Sequence, residues 1–487
     1  MTHPTPDAVR HLIAFRGDRA ATGPATWGQR HIWRDIVAML PDTAFFNVAQ
    51  VTFVPPGVGL PGVLEQLAEL VARHESLRTL AVPGTDGALG QRVLAEGSFE
   101  ADVLELTGAE HGAELRVHFT EAARRLESRG FDNTADVPFR ALVGVLDGAP
   151  QAVVLCLSHF AADLTGVRLL IAELDALLAA LAAGTAPPPR YPAREPLEQA
   201  EFENSPAGLR MEEKALRHWS TQLDRAPADN FPRPPGDPEE PRFWRGELVS
   251  RAVPEALRAA AARHRSTVPN VLLAATATLL ARGEGLDACG LRLVTANRFR
   301  PELHHSVGNL AQEVFVAVDV SGDSFADALR SVWSATLGAH RNGQFRPERA
   351  RALTEEAGVA VDCLVNDLWS TTRDDDDRPV LGAAALAEAA RESEFRWADR
   401  LEQDEVAFFL ETFDVFGDPG LIRVTLLGDT SRMPPARIEG FLRGLERVLL
   451  ALATGEVAPA DFPAVAGIGV PGPSGPDRLG VPGPSPR

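Results

Sequence analysis

Residues 151–184, QAVVLCLSHFAADLTGVRLLIAELDALLAALAAG, constrain the fold more than any other stretch. QAVVLCLSHF is apolar without alternation, as a strand buried on both faces must be. VRLLIAELDALLAALAAG (167–184) has helical periodicity and ends in Gly184, a residue suited to a helix C-terminus. Strand, short polar turn and apolar helix in immediate succession require layered α/β architecture. The turn carries His159 and, four residues on, Asp163. Turns at the C-terminal end of a strand are favoured ligand sites in such folds. An imidazole placed there is suited to taking a proton from an attacking amine or alcohol, with a carboxylate to orient it or to hold the loop through an arginine. The same residues equally suit a plain scaffold, with the histidine satisfied by backbone and Asp163 or Thr165 capping the helix. Spacing alone favours the scaffold.

Other segments repeat the mixed character. FFNVAQVTFV (45–54), LRLVTANRF (291–299) and EVFVAVDV (313–320) read as strands. GVLEQLAELVARH (62–74), TVPNVLLAATATLLARG (267–283), FADALRSVWSATLGAH (325–340) and PPARIEGFLRGLERVLLALATG (434–455) read as helices. VAFFLETFDV and LIRVTLLGD suggest a hairpin turning around Asp418, Pro419 and Gly420. Proline-rich TAPPPRYPAREP (185–196) and PADNFPRPPGDPEEPRF (227–243) flank one expected helix from about Glu198 to Leu223. These features divide the 487 residues into an N-terminal lobe (1–185), a connector (186–245), a C-terminal lobe (246–465) and a Pro/Gly-rich, disordered tail (466–487).

With 67 acidic against 48 basic residues, the net charge of -19 disfavours nucleic acid and anionic membranes as partners. The longest apolar helix is broken by Glu173 and Asp175, and the N-terminus has no apolar run after a basic start. A cytoplasmic location is therefore expected. Cys156, Cys289 and Cys363 are too scattered for a zinc or redox motif and read as buried thiols. No metal is expected. RDDDDR (373–378) lacks the spacing of a calcium loop, and His304 and His305 are too close in sequence to chelate one ion. No G-x-S-x-G elbow accompanies Ser158, and Cys156 lies inside an apolar strand, so a serine or cysteine nucleophile is rejected.

Several segments together resemble the condensation domains of nonribosomal peptide synthetases, within the chloramphenicol-acetyltransferase-like superfamily. TWGQRHIW (26–33), RHESLRT (73–79), SHFAADL (158–164), TANRFRPELHHSVGN (295–309) and the C-terminal hairpin follow that family's motifs in order, from about residue 24 to 455. The resemblance implies an α/β fold of two chloramphenicol-acetyltransferase-like lobes, arranged in a V around a central tunnel. It implies His159 as general base, or as the group that positions the nucleophile. It also implies a structural Asp163 paired with an arginine from the other lobe, for which Arg298 is the candidate. Ser158 stands where the family has a first histidine, and Leu164 where it has a glycine. These two, with Asn309 and Asn366, are candidate tunnel-lining residues, while Arg73, His74 and Arg78 are expected to be structural.

The activity implied is that of a free-standing, monomeric acyltransferase. Its donor is an acyl or aminoacyl thioester on a carrier protein acting in trans, and its acceptor is a small or carrier-bound amine or alcohol. It needs no cofactor of its own, because the phosphopantetheine arm arrives with the substrate. Two alternatives remain: a degenerate module that binds a carrier or partner protein without chemistry, and an acyltransferase using acyl-coenzyme A.

Overall fold

The computed structural model describes residues 8–85, 87–106, 113–370, 379–402, 406–415 and 418–469. The acidic run RDDDDR and the tail from residue 470 lie outside the described residues. The chain divides into two compact units.

The first unit comprises the chain up to Leu216 together with Thr295–Gln312 and Asn342–Arg349. Its strands are β1 (Val9–Arg16), β2 (Ala21–Pro24), β3 (Asn47–Phe53), β4 (Thr79–Pro83), β5 (Leu89–Val93), β6 (Glu96–Leu106), β7 (Phe139–Leu146) and β8 (Ala149–Ser158). Five form one sheet in the order β1-β6-β7-β8-β3, and β2-β5-β4 form a second. β6 and β7 are parallel, whereas β8 runs antiparallel to both its neighbours.

The position of β8 explains its composition. Val153, Leu155 and Leu157 pack with Leu67 and Leu70 of the helix Leu60–Arg73 and with Leu170 and Leu174 of the helix Leu164–Ala183. Val154 and Cys156 point the other way, into a cluster with Leu104, Leu126 and Leu142. Successive residues face opposite sides of a sheet, so a strand covered on both sides is apolar at every position. Burying one such side chain contributes about 1.5–3 kcal/mol.

The second unit holds β9 (Phe243–Ser250), β10 (Ala288–Thr295), β11 (Gln312–Asp319), β12 (Cys363–Asp367), β13 (Glu394–Leu401), β14 (Phe408–Val415) and β15 (Asp418–Asp429), in the order β11-β10-β12-β14-β15-β9-β13. β10, β12 and β14 are mutually parallel, and β14 with β15 is the expected antiparallel hairpin. Asp418 already pairs with Val415, so Asp418–Gly420 begin the second strand rather than form the turn. The helix Val268–Gly283 is buried on nearly every face, which accounts for its apolar sequence all round. The thiols of Cys289 and Cys363 are enclosed, and burial raises both well above the ordinary thiol range.

Three sequence expectations need correction. The single helix from Glu198 to Leu223 is two helices, Pro196–Glu203 and Pro206–Leu223, because Pro206 has no N–H with which to continue the first. The strand expected over 291–299 stops at Thr295, two residues before Asn297 adopts a left-handed backbone (φ 55°). The segment after that break belongs to the first unit, so the units are not serial along the chain. Asn297 holds the crossing segments by donating to the carbonyls of Leu310 and Gly343, at 2.8 and 2.7 Å. Among the described residues, no helix is long and apolar enough to cross a membrane.

Candidate active site

The turn after β8 is fixed before any side chain of the site is considered. The N–H of His159 donates to the Phe46 carbonyl at 2.8 Å, and that of Ala161 to the Ser158 carbonyl at 2.9 Å. Phe160 is fully buried and meets Trp33 edge to face at 5.9 Å. Trp33 lies on the helix Trp27–Ala38, whose N-terminus is closed by a reciprocal bond pair between Thr26 and Gln29. The sequence segments TWGQRHIW and SHFAADL thus meet in one place.

Asp163 is the N-cap of the helix Leu164–Ala183, its Oδ1 accepting from the Gly166 N–H at 2.8 Å. Its Oδ2 accepts from Arg298 Nη1 at 2.8 Å and from the N–H groups of Leu310 and Ala311 at 2.9 and 3.0 Å. The two side chains are only 4% and 7% exposed, so this is a buried ion pair. Arg298 also donates to the carbonyls of Ala296, Ser306 and Gly308. Arg298 is therefore the partner anticipated, but it sits in the same compact unit as Asp163 rather than in the other. The four bonds of Asp163 run to its own helix, to Arg298 and to the 310–311 backbone. It holds the turn against the 306–311 segment.

His159 is half-buried at the tip of this turn. Desolvation lowers its proton affinity, against weaker opposing contributions from its own carbonyl and Asp163; His31 and Asp35, one turn apart on the helix Trp27–Ala38, also act on it electrostatically. The net direction keeps the ring neutral near neutral pH, the state a base requires. Asn309 Nδ2 donates to the His159 carbonyl at 2.8 Å and lies 3.3 Å from Nδ1. Asn309 also lines a small polar cavity with Thr26, Gln29, Arg194, Gln199 and Ser306.

The remaining anticipated residues fall as follows. Ser158 is 2% exposed, with its hydroxyl donating to Asn133 Oδ1 at 2.5 Å and accepting from the Phe160 N–H, so it braces the turn from within. Leu164 opens the helix and is half-buried. Asn366 lies on β12 in the second unit, opposite Glu411 and hydrogen-bonded to it. Arg73 and His74 both bind Glu173, at 2.9 and 2.7 Å; against the effect of burial these bonds bring Glu173 down to about 2. Arg78 is buried and donates to the Arg19 and Leu94 carbonyls. His305 stacks on Tyr191 at 4.6 Å. Cys156 is enclosed, and burial pushes its thiol up to about 12, which removes it as a nucleophile.

Sequence reasoning missed Gly166. A Cβ there would lie 1.9 Å from the Val307 carbonyl oxygen, so only glycine lets this helix approach the 306–311 segment. This glycine lies two residues after Leu164, the position where the family has its motif glycine. The readable signal was a glycine in the first turn of an otherwise strong helix. Glu203 was missed as well. Fully enclosed, it accepts from the Trp27 N–H and Gln199 Nε2, and burial, outweighing these bonds, pushes it up to about 8. No sequence motif announces it.

Comparison with known proteins agrees with this geometry. The family model for the condensation domain matches residues 23–358. Among curated proteins, isonitrile lipopeptide synthase of Mycobacterium tuberculosis is 28% identical over 387 residues, covering 74% of this chain and 15% of that protein. Chondramide synthase cmdD of Chondromyces crocatus is 26% identical over 377 residues, covering 69% of this chain and 9% of that protein. The chain thus spans a small part of these relatives. Among solved structures, the first condensation domain of the CDA synthetase superposes with a TM-score of 0.64 at 17% identity, covering 91% of this chain and 98% of the other. The structure describing condensation domain-mediated chain release from the enacyloxin polyketide synthase gives 0.68 at 18% identity, covering 90% and 83%. The ordered motifs, the turn locked by Asp163 and Arg298, and a family match over more than half its length make this chain a member of the condensation-domain family.

Proposed function

We propose that the protein transfers an acyl or aminoacyl group from a carrier-protein thioester to an amine or alcohol, forming an amide or ester. The observation that carries this reading is the placing of His159 at the tip of a turn held by Asp163 and Arg298, where burial lowers the proton affinity of its imidazole. In this reading His159 takes the proton from the nucleophile as it attacks the thioester carbonyl. The carbonyl carbon then gains a C–N or C–O bond, and the carrier's sulfur leaves as a thiol with the proton that His159 returns. Asp163 and Arg298 hold the turn and do no proton transfer. The phosphopantetheine arm belongs to the donor, and the carrier is a separate chain acting in trans.

The test is product formation followed by mass spectrometry, with carrier-bound acyl thioesters and paired amine and alcohol acceptors. Acyl-coenzyme A serves as the competing donor. Removing a general base costs about 10²–10⁴-fold in rate, and His159→Ala is expected to fall in that range. Equal product from both proteins would remove His159 from the chemistry. Carrier binding without product from the wild type across these substrates would favour a binding module.

A further inference from the structure

Asn309 is 3% exposed, and its amide is used at one end only. Nδ2 donates to the His159 carbonyl at 2.8 Å, while Oδ1 is buried without a hydrogen-bond partner. Turning the amide over would set two acceptor oxygens against each other at that distance, so the assigned orientation stands. A buried, unpaired carbonyl is unfavourable, and such a group in a native protein calls for a reason. The cavity that Asn309 lines supplies one. His159 is not part of its wall, so the amide turns its donor out of the cavity and keeps Oδ1 toward it.

The wall suits a group with two roles. Thr26 Oγ1 accepts from the Gln29 N–H at 3.1 Å, which leaves its own proton to donate. Ser306 Oγ donates to the Arg194 carbonyl at 2.9 Å, which leaves its lone pairs to accept. Arg194 is the one lining residue that is not buried, and its guanidinium is held by Gln199 and Glu302 at 3.1 and 3.3 Å. A cation beside that guanidinium would be repelled, so the wall favours a neutral group. The cavity measures about 10 Å³, the room of one water-sized group. An acyl chain or an aromatic ring does not fit.

We propose that this cavity is a subsite for one small neutral group that donates an O–H or N–H to Asn309 Oδ1. Two sources carry that chemistry: a water, or the hydroxyl or amine of the acceptor. The second source rests on the acyl transfer proposed above. Through the single amide of Asn309, either occupant is tied to the His159 carbonyl.

The test is a crystal structure of the wild-type full-length chain, alone and soaked with hydroxylamine, a small probe with both an O–H and an N–H. A bound group is expected about 2.5–3.2 Å from Oδ1. The same solvent oxygen in both crystals assigns the site to water, and its replacement by the probe assigns it to the acceptor's group. No bound group in either crystal overturns the proposal, and this arm needs no variant to fold. Asn309→Leu removes the acceptor oxygen and should lose the group, whereas Asn309→Asp keeps an acceptor and should retain it. A group unmoved in folded Asn309→Leu also overturns the proposal. In the product assay, an acceptor held here predicts that Asn309→Leu raises KM for the acceptor about 2–10-fold, the weight of one hydrogen bond, with no such rise in Asn309→Asp. A rise in both alike comes from the lost bond to His159 and overturns the acceptor as the source. If no substrate yields product, the proposed function fails, while the two crystals still decide the subsite.

Discussion

Consider the substitution Asp163→Ala. The carboxylate accepts four hydrogen bonds, one from Arg298 and three from the N–H groups of Gly166, Leu310 and Ala311. An exposed ion pair is worth only about 0–1 kcal/mol. This one is different, with the carboxylate 4% and the guanidinium 7% exposed. Removing one partner of a buried pair leaves an uncompensated charge and costs about 3–5 kcal/mol. Arg298 keeps three carbonyl partners, which places the expected loss toward the lower end. The assay is native-state hydrogen exchange, read at Gly166, Leu310 and Ala311. At about 1.4 kcal/mol per decade, the three amides should exchange about two to three and a half decades faster. The paired variant Asp163→Ala with Arg298→Met should lose less than the sum of the single losses, because neither charge is then stranded. Exchange unchanged at all three amides, with a stability loss under about 1 kcal/mol, would refute the argument that this pair carries the turn.

Four further outcomes follow from the same geometry. Gly166→Ala should destabilise by about 1–3 kcal/mol or more as overpacking, because its Cβ meets the Val307 carbonyl; this is measured by chemical denaturation, and tolerance of the methyl would contradict the close approach. His159 titrates below its unfolded value, so the folded state binds fewer protons; stability is fully present above the unfolded imidazole range and declines as pH falls through the folded value, and His159→Gln should flatten that decline. Glu203 runs the other way. Its folded value is raised to about 8, so its contribution is full below the ordinary carboxylate range and lost as pH rises to about 8, and Glu203→Gln should remove that loss in a pH series of unfolding curves. Ser158→Ala should cost about 1 kcal/mol of stability through the lost bond to Asn133, with catalytic rate little altered in the product assay.

Much of the architecture is legible in local pattern. The unbroken apolar run of β8 announces a strand covered on both faces, and Gly184 ends the next helix in a left-handed conformation (φ 63°), as its position suggested. The pairing of Asp163 with Arg298 could be anticipated only through the family's motif order, because 135 residues separate them. The four-way engagement of Asp163 could not, since three of its donors are backbone amides, and those of Leu310 and Ala311 come from a distant segment with no side-chain signature. From its place in a site motif Ser158 reads as a candidate tunnel-lining residue, and its bonds to Asn133 and the Phe160 N–H hold it buried within the turn.

The sequence by itself determines what depends on neighbours along the chain: strand and helix periodicity, a helix N-cap at Asp163 or Thr165, and the placing of His159 at a strand end. Tertiary structure alone decides what depends on distance and solvent. It assigns Thr295–Gln312 to the first unit, makes position 166 accept only glycine, and leaves Oδ1 of Asn309 without a partner. Hydrogen-bond satisfaction and desolvation are set by which groups surround an atom in space, and no short window of sequence contains them.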